Sequence, residues 1–256
     1  MFTSSAKFYD ALYRSKDYAA ASQRLHTLIQ QHNPNAKTLL DLGCGTGKHL
    51  EVLRNHYQSE GLDLNPGLLD IAAQRCPDVP LHEGNMMDFA LGRKFDAIIC
   101  LFSSIGYVRT KHNLERTMAN IAHHLQPGGV VIVEPWFSPD RYWTGRVTTH
   151  FVDDPELKIA SMYTNDPPEN QISILNIHYL VGTPTGIARF EERHELGLFT
   201  DEEYMSAFEK VNLHAIRDEE GLFGRGLFIG SDRSNVAGKQ PARQDWPSET
   251  TSPRRR

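Results

Sequence analysis

Three glycines at alternate positions, Gly43, Gly45 and Gly47, follow an acid, Asp41, in the run Leu39-Leu40-Asp41-Leu42-Gly43-Cys44-Gly45-Thr46-Gly47. The run reads as a short buried strand that ends in a glycine turn and leads at once into a helix over residues 48–56. Glycines there clear side chains from the place where a ligand lies against the backbone. The free amides of the helix's first turn favour a negatively charged group. A second apolar run, Ser59-Glu60-Gly61-Leu62-Asp63-Leu64, brings a carboxylate sixteen residues beyond Gly47. An acid at the end of a second strand is the usual partner of a ribose diol. The chemistry these residues suit is the holding of a nucleoside.

The glycine spacing narrows the kind of nucleoside. A dinucleotide fingerprint has the form G-x-G-x-x-G, whereas this loop is G-x-G-x-G with an acid two positions before its first glycine. The pattern resembles motif I of class I S-adenosylmethionine-dependent methyltransferases and disfavours a nicotinamide dehydrogenase. The resemblance implies S-adenosyl-L-methionine as cofactor. Asp41 and the glycine loop then hold its amino-acid end, and Asp63, with Leu64 beside it, its ribose.

Around these residues stands a chain of 256 residues, long enough for one ample core with a smaller appended lobe. Its 39% hydrophobic and 23% charged content is ordinary for a soluble globular protein. A net charge of -5 gives no reason to expect nucleic acid as a partner. The twelve histidines include no pair at i, i+4 with an acid between them, so no metal is expected. Three cysteines, Cys44, Cys76 and Cys100, have no disulfide spacing and point to a reducing cytoplasm. No apolar run is long enough to cross a bilayer, and the first residues lack the apolar segment of a signal peptide. The expectation is a cytoplasmic protein without membrane attachment.

The elements that must position the loop follow from periodicity. Residues 1–36 form an N-terminal helical segment, closed by the turn Asn33-Pro34-Asn35. From residue 37 strands and helices alternate, the signature of a parallel sheet wound on both faces. Asn65-Pro66 starts a helix that reaches residue 75, with Asn as cap and Pro at its first position. Strands are expected at 79–82, 94–102 and 130–134, with a helix at 111–125 stopped by Gln126-Pro127-Gly128-Gly129. After Pro135 the rhythm changes to strand-like runs at 146–152, 157–163, 171–181 and 187–198, separated by turn clusters. The α/β domain resumes with a helix at 201–211, where Thr200 and Glu203 have capping-box spacing, and closes with two strands, the last at 226–230. The fold class is α/β: a doubly wound, seven-stranded, mostly parallel sheet (37–136 and 199–230) with an inserted antiparallel lobe (137–198). Residues 231–256 read as a disordered tail.

Ligands of open α/β sheets lie outside the carboxyl ends of the strands. That rule gathers Asp41 to Gly47, Asp63, residues 84–87 and residues 101–107 around one crevice. Met86 and Met87 suit either a polarizable sandwich around adenine or plain core filling. Asn85 suits the adenine edge or a cap on the turn it begins. The segment Leu101-Phe102-Ser103-Ser104-Ile105-Gly106-Tyr107 leaves the fourth strand toward the reacting methyl, small and apolar but for two hydroxyls and a terminal aromatic. Methyl transfer from a sulfonium is an in-line displacement, so alignment and exclusion of water supply most of the rate, with little help from a general base.

Several further segments carry a closer resemblance: Phe8-Tyr9-Asp10 with Lys16-Asp17-Tyr18, Phe102-Ser103-Ser104-Ile105-Gly106, Val133-Glu134-Pro135-Trp136 and Gly224-Arg225-Gly226-Leu227-Phe228. Together they resemble the N-methyltransferases that act on the amine of nucleotide-linked (TDP) amino sugars in antibiotic biosynthesis. The similarity extends from about residue 6 to residue 230. It implies that the inserted lobe helps cover the sugar nucleotide and promotes a homodimer, that Tyr9 lies beside the cofactor, and that Arg225 meets the substrate phosphates with its planar fork. Ser103, Ser104, Tyr107 and Trp136 complete the expected acceptor site. Two departures mark this chain: Tyr107 stands where related enzymes carry His, and Phe2 where they place Tyr. Tyr107, a poor general base at neutral pH, is expected to orient the amine. Glu134 either attracts a protonated amine or anchors its strand end. His178 and His194, on lobe strands, are read as structural. Two other functions fit the same residues: a methyltransferase for another small N or O acceptor, and a cofactor-binding module without turnover.

Overall fold

Caps and apolar periodicity set where the elements begin. The computed structural model describes residues 3–232. Helices α1 (Tyr9–Leu12) and α2 (Tyr18–His32) are parted by a turn, and the Asp17 side chain caps the second by accepting the Ala20 N–H at 2.9 Å. Then β1 (Thr38–Leu42), α3 (Lys48–Leu53), β2 (Gln58–Asp63), α4 (Pro66–Arg75), β3 (Leu81–Glu83), β4 (Phe95–Cys100), α5 (Lys111–His123) and β5 (Leu125–Val133) alternate. Asn65 caps α4 as its sequence requires, its side chain accepting the Gly67 N–H at 2.9 Å. Helix α3 stops short of residue 56 because the N–H groups of His56 and Tyr57 both turn back onto the Leu53 carbonyl. The Pro127-Gly128-Gly129 segment, expected only to stop a helix, is itself part of β5. Its pairing with β4 shifts register between Phe95 and Ala97.

The inserted lobe comprises β6 (Val147–Asp153), β7 (Lys158–Thr164), β8 (Ile172–Thr183) and β9 (Gly186–Gly197), an antiparallel meander in that spatial order. Helix α6 (Asp201–Glu209) follows with both halves of the capping box formed between Thr200 and Glu203. Strands β10 (Leu213–Asp218) and β11 (Leu227–Asp232) complete a seven-stranded sheet of order β10-β11-β5-β4-β1-β2-β3. Strand β11 is antiparallel to both neighbours, and the other pairs are parallel. Ser231 and Asp232, placed in the tail by the sequence reading, belong to β11. Phe2 and the rest of the expected disordered tail, 233–256, lie outside the described residues. No helix among the described residues is long and apolar enough to cross a membrane.

Strand alternation divides the core between the two faces of the large sheet. Leu40, Leu42, Ile98, Cys100, Val131 and Val133 pack with Leu114, Met118 and Ile121 of α5 and Tyr204 and Phe208 of α6. Leu39, Ala97, Ile99, Val130 and Ile132 pack with Leu25 and Ile29 of α2 and Leu50 and Leu53 of α3. Each fully buried Leu or Ile here contributes about 1.5–3 kcal/mol. This double-sided burial holds the carboxyl ends of β1, β2 and β4 side by side, where the loops meet.

Candidate active site

The turn after β1 is built from residues that only glycine satisfies. Gly43 has φ +75°, and a Cβ there would lie 2.7 Å from Ser104 Cβ and Oγ. Its N–H and that of Cys44 donate to the Leu62 carbonyl at 2.7 and 3.1 Å, tying the loop to β2. Asp63, at the end of β2, fixes the rest. Its Oδ2 accepts the Gly45 N–H at 2.8 Å and its Oδ1 the Asn65 N–H at 2.9 Å. Burial raises the Asp63 pKa, while those amides pull the other way. Asp41 is 2% exposed, and burial together with the nearby Asp63 pushes its carboxyl up to about 8.

A cavity of about 340 Å³ opens over this loop, a size typical of small-molecule sites. Gly43, Gly45, Asp63 and Leu64 line one side, and Asn85, Met86 and Met87 another, with Tyr9, Ser104 and Tyr107 facing them. Asn85 also braces its own turn, its Oδ1 accepting the Met87 N–H at 3.0 Å. Three expected cofactor residues stand off the wall. Asp41 is buried in β1, Gly47 caps α3 with φ +76°, and Leu101 is 3% exposed within the core on the α2 and α3 side of the sheet. The sequence reading missed Arg109, Arg193 and Glu195, which also line the cavity. Arg109 Nη1 donates to Glu195 Oε2 at 3.0 Å, so the lobe reaches the cofactor side of the crevice.

A second cavity, of about 240 Å³, lies between the sheet and the lobe and shares Tyr9, Ser104 and Tyr107 with the first. Ser103, Trp136 and Arg225 are on its wall, as are Lys16 and Phe102 and, from the lobe, His150, Tyr163, Tyr179 and His194. The Arg225 guanidinium sits 5.1 Å from the ring centres of Trp136 and Phe137, and its Nη1 donates to Ser103 Oγ at 3.2 Å. Burial lowers the pKa values of Arg225 and Lys16. Trp136 Nε1 donates to Ser173 Oγ at 2.9 Å, fixing the ring against β8.

Phe102 and Ser103 adopt φ +51° and +63°, a left-handed pair uncommon outside glycine. Glu134 holds that turn: its Oε2 accepts the Phe102 N–H at 2.7 Å, and the Ser103 hydroxyl donates to the Pro135 carbonyl at 2.7 Å. Glu134 is fully buried and on neither cavity wall. Of the two roles expected for it, attracting an amine or anchoring the strand end, these contacts are those of an anchor for the Phe102–Ser103 turn. The leading segment is tied across the glycine loop, with Asp10 accepting from Thr46 Oγ1 at 2.7 Å and pairing with Arg75.

The residues present suit a sulfonium nucleoside: a glycine cradle that a Cβ would fill, a carboxylate at the ribose position and a thioether-lined slot. Residues 39–129 match the family model of a methyltransferase domain, the class this sheet order and loop define. Over 229 residues the chain is 39% identical to the dTDP-3-amino-3,4,6-trideoxy-alpha-D-glucopyranose N,N-dimethyltransferase of Streptomyces venezuelae, covering 88% of this chain and 96% of the relative. It is 40% identical over 228 residues to the dTDP-4-amino-2,3,4,6-tetradeoxy-D-glucose N,N-dimethyltransferase of Saccharopolyspora spinosa, covering 88% and 91%. The crystal structure of Streptomyces venezuelae DesVI superposes with a TM-score of 0.84 at 38% identity, over 91% of this chain and all of that one. The chain belongs to the S-adenosylmethionine-dependent N-methyltransferase family of these amino-sugar enzymes.

Proposed function

We propose that this enzyme methylates the amine of a nucleotide-linked amino sugar. The observation that carries the reading is the pair of cavities meeting across Tyr9, Ser104 and Tyr107, with Arg225 on the wall of the second alone. When bound, S-adenosyl-L-methionine supplies a methyl group on an activated sulfonium. Gly43, Gly45, Asp63, Leu64, Asn85, Met86, Met87 and Tyr9 would hold it; Asp41 and Gly47 shape the loop from beneath, and Leu101 backs it. The second cavity would seat the sugar, with Ser103, Ser104 and Tyr107 near the amine, Trp136 along the wall and Arg225 toward the phosphates. Two aligned reactants in an aromatic-walled site need little more than correct geometry for an in-line displacement. Incubation with the methyl donor and a panel of dTDP-amino sugars, read by mass spectrometry, is expected to show methyl mass added to one or more of them. The corresponding hydroxy-sugar nucleotides are expected to stay unmodified. No gain on any amine would overturn the reading.

The lobe supports a homodimer as well as a lid. Alternation places His150, Ser161, Tyr163 and Tyr179 on its inner face, toward the cavity. Val147, Phe151, Met162, Leu180 and Ile187 occupy the outer face, with Phe151 68% and Ile187 79% exposed. Apolar surface of this extent on one sheet face favours association with another copy of the lobe. Sedimentation analysis is expected to find a dimer, and Phe151→Asp a monomer; a monomeric parent protein would exclude this arrangement. The free cysteines Cys44, Cys76 and Cys100 support a reducing, cytoplasmic setting.

A further inference from the structure

Tyr107 stands on the wall common to both cavities, where the acceptor amine must meet the methyl donor. Its hydroxyl lies 2.6 Å from His194 Nδ1. His194 is on the wall of the second cavity yet only 2% exposed, and its Nε2 lies 3.6 Å from Glu192 Oε2. Two residues apart on β9, Glu192 and His194 share a strand face. Glu192 is 5% exposed, and its charge is met by hydroxyls and amides of the leading segment. Ser5 Oγ donates to Oε2 at 2.5 Å, while Ser5 N, Thr3 N and Thr3 Oγ1 donate to Oε1 at 3.0, 2.8 and 3.0 Å. From the cavity to the leading segment the groups therefore stand in sequence, hydroxyl, imidazole and carboxylate, the first pair at 2.6 Å and the second at 3.6 Å.

We propose that Tyr107, His194 and Glu192 form a proton relay that takes the proton from the acceptor's ammonium and so delivers a neutral amine to the methyl donor. The proposal rests on the amine-acceptor reading above and deepens it. An alkyl ammonium holds its proton at neutral pH, since even an α-amino group titrates near 7.7–8.0, and a protonated nitrogen has no lone pair to attack. In the step, an N–H bond of the ammonium breaks and its proton passes to the Tyr107 oxygen. The Tyr107 O–H bond breaks in turn and its proton forms a bond to His194 Nδ1. Tyrosine thus stays neutral, and the positive charge moves to an imidazolium facing the Glu192 carboxylate. The freed lone pair forms the bond to carbon as the methyl's carbon–sulfur bond breaks, that electron pair staying on sulfur as a neutral thioether, and the relay proton leaves to solvent before the next round. A second methylation repeats the demand, because each transfer leaves the nitrogen positively charged.

The surroundings set what each member can do. Burial raises Tyr107 well above the usual phenol range, an effect that Tyr13, Tyr179, Glu192 and Asp63 reinforce, so it conducts a proton without becoming a phenolate. Burial lowers the His194 pKa, and Glu192 opposes that fall. Burial also works against an ionised Glu192, but the nearby His194 and the bonds from Ser5 and Thr3 outweigh it and hold the carboxyl at about 2. Alignment carries the methyl step; the relay sets the protonation state that enters it. Tyr107 is the catalytic member, and His194 and Glu192 act through it.

The test uses the full chain with Tyr107→Phe, which keeps the ring, and Tyr107→His, which restores a proton-accepting group. Near neutral pH, Tyr107→Phe is expected to lower kcat with an amino-sugar nucleotide by about 10²-fold. Activity should recover toward the parent as alkaline pH deprotonates the acceptor in solution, and Tyr107→His should regain part of the neutral-pH loss. A loss equal at every pH, or no loss, would overturn the relay. A readout independent of turnover is the nitrogen NMR spectrum of His194, assigned by comparison with His194→Gln. The relay expects a neutral ring protonated at Nε2, with Nδ1 accepting from Tyr107 and shifting in Tyr107→Phe. A proton found on Nδ1 would overturn it. If the parent chain methylates no amino-sugar nucleotide, the acceptor reading falls and the relay is judged on the tautomer alone.

Discussion

Asp63→Ala is expected to weaken binding of S-adenosylhomocysteine about ten- to a hundredfold in calorimetry. The carboxylate has two duties in the proposed site, and the substitution removes both. Its oxygens pin the Gly45 and Asn65 amides, and its cavity face is the proposed partner of the ribose diol. A hydrogen bond to a charged group contributes about 1.5–3 kcal/mol, and a loop released from its anchor must be re-ordered on each binding event. Both costs fall on affinity rather than on folding, because Asp63 lies at the carboxyl end of β2 and outside the buried apolar clusters. Unchanged affinity would remove Asp63 from the site.

Arg225→Ala is expected to raise KM for a sugar nucleotide at least about tenfold while leaving KM for the methyl donor within about twofold. The guanidinium lines the second cavity and not the first. It is held among Phe102, Trp136 and Phe137, so its fork is already oriented for an anionic oxygen. Arg225→Lys should recover only part of the loss, since an ammonium keeps the charge and forfeits the planar pair of donors. Equal rises in both KM values would defeat the phosphate assignment, because a change confined to the acceptor cavity has no direct route to the donor.

Local spacing made the glycine-loop side of the crevice legible. Asp41, the glycine loop and Asp63 are separated by a single helix, and each announces itself by residue type. The α4 cap and the α6 capping box are likewise written within four residues. The lobe strands begin and end within a few residues of their turn clusters, because alternation and Gly or Pro punctuation are short-range signals. The acceptor side was less legible. His194 meets Tyr107 from 87 positions further along the chain, and Glu195 meets Arg109 across 86. A lone histidine on a strand is structural on its own terms, and only the folding back of the lobe gives it a hydroxyl partner. Glu134 illustrates the opposite case. Its type and position at a strand end suggested chemistry, whereas the left-handed Phe102–Ser103 backbone, which sequence does not announce without a glycine, demanded an anchor.

The buried acid under the glycine loop gives the protein a hidden bookkeeping of hydrogen ions. With its carboxyl pushed up to about 8, Asp41 is mostly protonated at physiological pH. A cationic ligand seated on the loop above it stabilises the anion and favours release of that hydrogen ion to bulk solvent. Affinity for such a cation should therefore climb with alkalinity toward about pH 8 and fall beyond, where an α-ammonium, titrating near about 7.7–8.0, loses its own charge. The demethylated product keeps the ammonium but lacks the sulfonium charge, so donor and spent donor share this titration and differ only in what the sulfur adds.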